Sequence, residues 1–178
     1  MPLITVFGSS EALPGSFEYE TAERLGSNLA KEGFDIASGG YSGVMEAVLK
    51  GASDYNVKRI GVTNKLVPVE KINSFVDIEY RMETYLERMS KLIEIADEYI
   101  VLPGGSGTLL EFAAIWVLKE RGLFKNKLII CIGEQWEEIL RTMGFYSEKA
   151  RNAGEFIKTA ENAEEAVNFI LHKNKSKE

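Results

Sequence analysis

The chain has 178 residues, 45% of them hydrophobic and 27% charged, which suits one folded domain of ordinary size. With 21 basic against 27 acidic side chains the formal charge is −6, a balance that opposes a nucleic-acid polymer or an anionic membrane as partner, because either demands excess positive charge. The single cysteine, Cys131, excludes an internal disulfide and a cysteine-rich metal site, and the single histidine, His172, argues against a catalytic triad or a histidine metal centre.

In chain order, Leu3–Phe7 is a buried-strand run that ends at Gly8-Ser9-Ser10. Tyr19, Ala22, Leu25, Gly26, Leu29 and Ala30 then recur at helical spacing, and Gly33 stops that helix. Phe34–Ala37 is a short strand running into Ser38-Gly39-Gly40-Tyr41-Ser42-Gly43, and Val44, Ala47, Val48, Gly51 and Ala52 mark one face of a second helix. Arg59–Thr63 and Phe75–Tyr80 read as strands, with the irregular stretch Asn64–Ser74 between them as a candidate lid or substrate loop. Met82–Ala96 is predicted helical, Tyr99–Leu102 a strand, and Pro103-Gly104-Gly105-Ser106-Gly107 a second glycine-rich turn. A long apolar helix (Thr108–Glu120), a strand (Lys127–Ile132) and a helix (Gln135–Met143) follow. A short strand near Phe156-Ile157 and a helix from Ala163, with capping-box spacing between Asn162 and Glu165, close the chain.

This alternation implies an α/β fold, a single Rossmann-like doubly wound domain over residues 1–172 with a mainly parallel sheet and helices on both faces. Residues 173–178 read as a frayed polar tail. The N-terminal run lacks a basic leader, and the longest apolar stretches fall well short of the ~20 residues of a membrane helix. A reduced, cytoplasmic setting is therefore the expectation. Parallel sheets of this kind bind ligands at the carboxyl ends of their strands. Both glycine-rich turns join a strand to a helix, so both should open on that edge.

In Leu102-Pro103-Gly104-Gly105-Ser106-Gly107-Thr108-Leu109-Leu110-Glu111, three glycines in four positions let an anion approach the backbone. The helix beginning there directs free N–H groups and its positive end at the same space. Ser106 and Thr108 add hydroxyl donors, so phosphate is the natural guest of Gly104, Gly105, Ser106, Gly107 and Thr108. Glu111, one turn further on, suits a general base or an acceptor for ribose hydroxyls. The same glycines also fit an ordinary tight turn between strand and helix. Gly39 to Glu46 is neither a dinucleotide fingerprint nor a P-loop, which would need Gly-Lys-Ser/Thr before the helix. On spacing alone, Arg88 reads as a solvated helix residue, with Glu87 and Lys91 offering a surface pair. Positive potential is expected from Arg88 and two helix N-termini, local features within an acidic shell. The helix around Phe112–Leu118 is apolar nearly all round and fits either a core or an interface.

From the first strand (VFGSS) through GGYSGVMEAVLKGA, the Arg88 helix, ADEYIVLPGGSGTLLE and LFKNKLIIC, the chain resembles the LOG (Lonely Guy) family. These are cytokinin riboside 5′-monophosphate phosphoribohydrolases, long labelled possible lysine decarboxylases. The resemblance covers about residues 3–140. It implies that the PGGxGTxxE turn holds a 5′-phosphate, that Glu111 is catalytic, and that Arg88 is the second catalytic residue, from a Met-x-x-Arg-Lys motif. Here the methionine of that motif is Tyr85 and the lysine is Met89, while Ser38 and Glu46 replace glycines of the first turn. These departures resemble a shorter subgroup that includes molybdenum-cofactor carrier proteins. Gly8, Ser9, Ser10, Gly39, Gly40, Ser42, Gly43 and Met45 are assigned to the ribose and base. The expected partner is a nucleoside monophosphate or similar phosphorylated small molecule, with no cofactor and no metal. The family resemblance further implies a homodimer or higher homo-oligomer. Two functions follow, a nucleoside 5′-monophosphate phosphoribohydrolase and a non-catalytic carrier or sensor of a phosphorylated ligand.

Overall fold

The computed structural model describes residues 1–66, 71–124 and 126–175, with backbone alone for 174 and 175. Seven strands form one parallel sheet in the order β4-β3-β2-β1-β5-β6-β7. They are β1 (Leu3–Phe7), β2 (Asp35–Ser38), β3 (Arg59–Asn64), β4 (Ile78–Met82), β5 (Glu98–Val101), β6 (Ile129–Ile132) and β7 (Ile157–Ala160). The long helices are α1 (Phe17–Lys31), α2 (Val44–Gly51), α3 (Tyr85–Ile95), α4 (Ser106–Glu120) and α5 (Glu134–Tyr146). A short α6 (Glu148–Arg151) and a 3₁₀ turn (Ala153–Glu155) precede β7, and α7 (Ala163–Lys175) closes the described chain.

Parallel strands covered on both faces read as unbroken apolar runs, and the sheet sorts those runs by alternate residues. Ile4, Val6, Ile100, Leu102, Ile130 and Ile132 join one core with residues of α1, α2 and α7. Phe7, Tyr99, Val101, Ile129 and Cys131 join the other with residues of α3, α4 and α5. The doubly wound Rossmann-like architecture follows, with its switch in strand order at β1, between β2 and β5. Cys131 is fully buried there, and burial pushes its thiol far above the ordinary range.

Several boundaries move from their sequence-based positions. The strand expected at Phe75–Tyr80 is β4, displaced toward the C-terminus, and it takes Met82 from the predicted helix. The reason is at Thr84, which accepts the Glu87 amide at 3.2 Å while the Glu87 carboxylate accepts the Thr84 amide at 2.9 Å. That reciprocal cap starts α3 at Tyr85. At α7 the Asn162 side chain accepts the Glu165 amide at 2.9 Å, whereas the Glu165 carboxylate reaches the amide of Glu161 at 2.8 Å. This helix continues past position 172 to Lys175, with Lys173 bonded to Glu98 and to the Asn126 carbonyl. Residues 176–178 lie outside the described residues, as do 67–70 of the expected loop.

α1 and α2 meet so closely that two glycines carry the contact. A β-carbon on Gly26 would stand 1.9 Å from the Val48 carbonyl oxygen, and one on Gly51 would stand 1.8 Å from that of Glu23. Backbone cannot retreat as a flexible side chain can, so Gly26→Ala forces the two helices apart. The expected loss is about 2 kcal/mol of unfolding free energy, read as a lower urea midpoint.

Candidate active site

At the carboxyl edge of β5 the chain passes through Pro103 and two glycines before α4 begins at Ser106. Gly104 is clamped by the chain's single glutamine: its amide donates to Gln135 Oε1 at 3.2 Å, and Gln135 Nε2 donates to its carbonyl at 2.8 Å. A β-carbon at Gly104 would lie 2.2 Å from Thr108 Oγ1, so the turn closes only with glycine there. The Ser9 amide donates to the Pro103 carbonyl at 3.1 Å and ties the loop after β1 to this turn. Leu109 makes the bond back to Gly105, at 2.9 Å, and no side chain caps the helix. The amides of Ser106, Gly107 and Thr108 therefore lack intrahelical acceptors. With the helix dipole, they make an edge of open N–H donors suited to an anion.

That edge is one wall of a cavity of about 280 Å³, near the lower end of the usual small-molecule range of roughly 300–1,000 Å³. The lining brings together Gly8, Ser9, Ser10, Met45, Arg88, Gly105, Ser106, Gly107, Thr108 and Glu111 from the sequence-based assignment. Glu11, Tyr41, Asn64 and Tyr85 complete it.

Arg88 is only 5% exposed, which corrects its reading as a solvated helix residue. Its Nε donates to the Val62 carbonyl at 2.7 Å, Nη2 meets Met45 Sδ at 3.6 Å, and Nη1 stands 3.6 Å from Glu111 Oε1. The Tyr41 and Tyr85 rings lie 5.3 and 5.7 Å from the guanidinium carbon, a cation–π arrangement from two directions. The surface pair expected of Glu87 and Lys91 gives way to other partners, since Glu87 caps α3 and Lys91 meets Glu94 at 3.7 Å.

Glu111 is 7% exposed, on the second turn of α4. Burial raises its carboxyl pKa to about 7, against the opposing pull of Arg88. Burial and the Glu111 charge likewise raise the Tyr85 phenol, with Arg88 pulling it down.

The other glycine turn supports this site more than it lines it. Gly39, Gly40, Ser42, Gly43 and Gly104 are not among the lining residues. A β-carbon on Gly39 would stand 1.8 Å from Arg88 Nη2, so this glycine makes room for the guanidinium. Gly40, at a φ of +76°, accepts the Asn73 amide at 2.9 Å. Ser42 Oγ donates to the Ser10 carbonyl at 3.1 Å. Gly43 has the Ser9 carbonyl 2.4 Å from its would-be β-carbon, and Val44 donates its amide to that carbonyl at 2.8 Å. The first amide of α2 is thus spent on the loop after β1, whereas no backbone partner takes the first amide of α4 among the described residues.

The residues sequence reasoning missed came with weak signals. Tyr41 lies within the first glycine-rich turn, but its hydroxyl donates to the Asn64 carbonyl at 3.3 Å and accepts the Asn64 amide at 3.0 Å, 23 positions away. Tyr85 appeared only as a departure from the family motif. Glu11, Asn64 and Gln135 carried no signal, since their roles exist only through tertiary contact.

Residues 1–167 match the family described as SLOG cluster4. The chain belongs to that family. It is 32% identical over 121 residues to the cytokinin riboside 5′-monophosphate phosphoribohydrolase LOG of Oryza sativa subsp. japonica, a match spanning 67% of this chain and half of the rice protein. A second relative, the cytokinin riboside 5′-monophosphate phosphoribohydrolase LOG3 of Arabidopsis thaliana, is 30% identical over a match that covers 92% of this chain and 79% of its own length. Among solved structures, the molybdenum cofactor binding protein of Rippkaea orientalis shares the fold of this SLOG cluster4 chain, with a TM-score of 0.74, 24% identity and 96% of each chain covered. The molybdenum cofactor carrier protein of Chlamydomonas reinhardtii does so with a TM-score of 0.73, 20% identity and coverage of 97% and 98%.

The Glu111 carboxyl makes a pH prediction with a definite sign. It titrates near 7 in the folded protein against an ordinary 4.5, so between those values the folded state binds more protons than the unfolded one. Stability contributed by this group falls as pH rises through that window. Glu111→Gln removes the slope. Its melting temperature should gain on the wild type at pH 8.5 relative to pH 5, in thermal unfolding followed at both values.

Proposed function

We propose that this chain is a nucleoside 5′-monophosphate phosphoribohydrolase, which hydrolyses the N-glycosidic bond to release a free base and ribose 5-phosphate. The observation that carries the reading is Glu111, a buried carboxyl poised near neutrality, 3.6 Å from Arg88 and one turn beyond the unpaired amides of α4. Cleavage of this bond develops positive charge on the ribose. A carboxylate beside that ring stabilises the charge or removes a proton from the attacking water, as carboxylates do in glycosidases. A group titrating near the working pH is well matched to accept that proton. The phosphate seats on Ser106, Gly107 and Thr108 and supplies binding energy that orients the sugar. Arg88 presents its remaining donors to the ribose hydroxyls or the phosphate, held in place by Val62 and the two tyrosine rings. The overall charge of −6 favours one small phosphorylated ligand over a polyanion. A homodimer is part of the same reading, supported by the exposed Leu109, Leu110 and Val117 of α4. So is a cytoplasmic setting, to which an unpaired, buried cysteine is suited.

The second reading is a carrier or sensor of a phosphorylated ligand. It is supported by the near-complete mutual coverage with the two molybdenum cofactor proteins. The same phosphate edge serves both, and turnover separates them. Incubation with AMP and N6-substituted analogues, followed by chromatography, should show release of free base. Glu111→Gln should lower the rate at least 100-fold while retaining nucleotide binding. Ligand-induced thermal stabilisation without base release from any nucleotide of a broad panel would favour the carrier.

A further inference from the structure

The proposed chemistry uses the ring of Tyr85 beside Arg88 but leaves its hydroxyl without a role. It opens α3 one turn before Arg88, so both side chains lie on one face of that helix. The reciprocal cap between Thr84 and Glu87 holds this first turn, and the ring stays near the guanidinium, at 5.7 Å. The phenolic oxygen is only 3.2 Å from where a β-carbon on Gly107 would stand. It therefore hangs directly over the first turn of α4, across a gap that glycine leaves open. The other tyrosine of the lining, Tyr41, spends its hydroxyl on the Asn64 backbone. No hydrogen bond engages the Tyr85 hydroxyl among the described residues.

We propose that Tyr85 is a ligand-positioning residue whose hydroxyl donates a hydrogen bond to a phosphate oxygen seated on the first turn of α4. This rests on the assignment of that turn to a ligand phosphate. The backbone amides of residues 106–108 approach such an anion from one side only. A phenol on the facing helix adds a donor from across the cavity, and an O–H donor on an anionic oxygen is among the stronger hydrogen bonds. Burial and the nearby Glu111 carboxyl keep the phenol protonated, hence a donor. A methionine at this position, as in the LOG motif, offers no donor at all. The contact also joins the phosphate to the helix that carries Arg88, coupling ligand placement to the guanidinium.

The test is calorimetric titration of wild type, Tyr85→Phe and Tyr85→Met with ribose 5-phosphate, with inorganic phosphate, and with ribose as the phosphate-free control. Tyr85→Phe keeps the ring beside Arg88 and removes only the hydroxyl. It should bind ribose 5-phosphate and inorganic phosphate about 10-fold more weakly, with an unchanged melting temperature and no change toward ribose. Tyr85→Met should lose at least as much. Equal affinity of wild type and Tyr85→Phe for both phosphates overturns the role of Tyr85 and leaves the phosphate site standing. Absence of phosphate binding in the wild type itself overturns the site assignment, and this proposal with it. A Tyr85→Phe protein that melts lower but binds both phosphates as the wild type does assigns the hydroxyl to stability instead.

Discussion

A guanidinium taken out of water costs several kcal/mol unless its donors and its charge are answered. Arg88 is answered by five groups: the Val62 carbonyl of β3, the Tyr41 and Tyr85 rings, the Met45 sulfur and the Glu111 carboxyl. Much of the local architecture makes sense as provision for that one group. Gly39 carries no side chain because the guanidinium occupies the space. The cap at Thr84 starts α3 where Arg88 reaches Val62. Tyr41 is held in turn by the Asn64 backbone, and Asn73 secures the Tyr41 carbonyl at 2.9 Å. The counter-charge is imperfect. At 3.6 Å and without a bidentate fork, Arg88 offsets only part of the cost of burying Glu111, so that carboxyl titrates near neutrality and is fit to exchange a proton.

Placing the donors at one helix terminus has a consequence for scale. The molecule is acidic, and the proposed phosphate site draws on the first turn of α4 with one guanidinium nearby. At the N-terminus of α2, similar to it in sequence, the first amide is taken by the Ser9 carbonyl. Two glycine-rich turns on the same sheet edge thus do different work. One exposes backbone donors, and the other makes room for the arginine and anchors neighbouring loops.

The four departures from the LOG motifs divide in the same way. Met89 packs against the core between the sheet and α3, α4 and α5, and it is not among the cavity lining. Exchange of a lysine for methionine there leaves the cavity wall as described. Glu46 accepts the Tyr19 hydroxyl at 2.9 Å, and Ser38 donates to the Met45 carbonyl at 2.9 Å, so both fasten α2 to its neighbours. Tyr85 is the departure that meets the cavity, and it is the one with chemistry to add.

Much of the fold was legible in the chain itself. Apolar runs alternating with helical periods dictate a parallel sheet covered on both faces, because each run must be buried on two sides. The glycine-rich turn leading into α4 was legible too, since glycine spacing and a following helix are local properties. The strand at β4 moved because a side-chain cap, rather than apolar periodicity, sets where α3 begins. Arg88 looked solvated because spacing along one helix cannot show what packs against it. Its burial depends on Val62, Tyr41 and Glu111, brought from three other parts of the chain. The sequence by itself determined the sheet, the glycine-rich turns that lead into helices and the residue types able to do chemistry. Only the tertiary structure decided which of them meet and at what pH Glu111 holds its proton, because desolvation and charge pairing arise from contacts between distant segments.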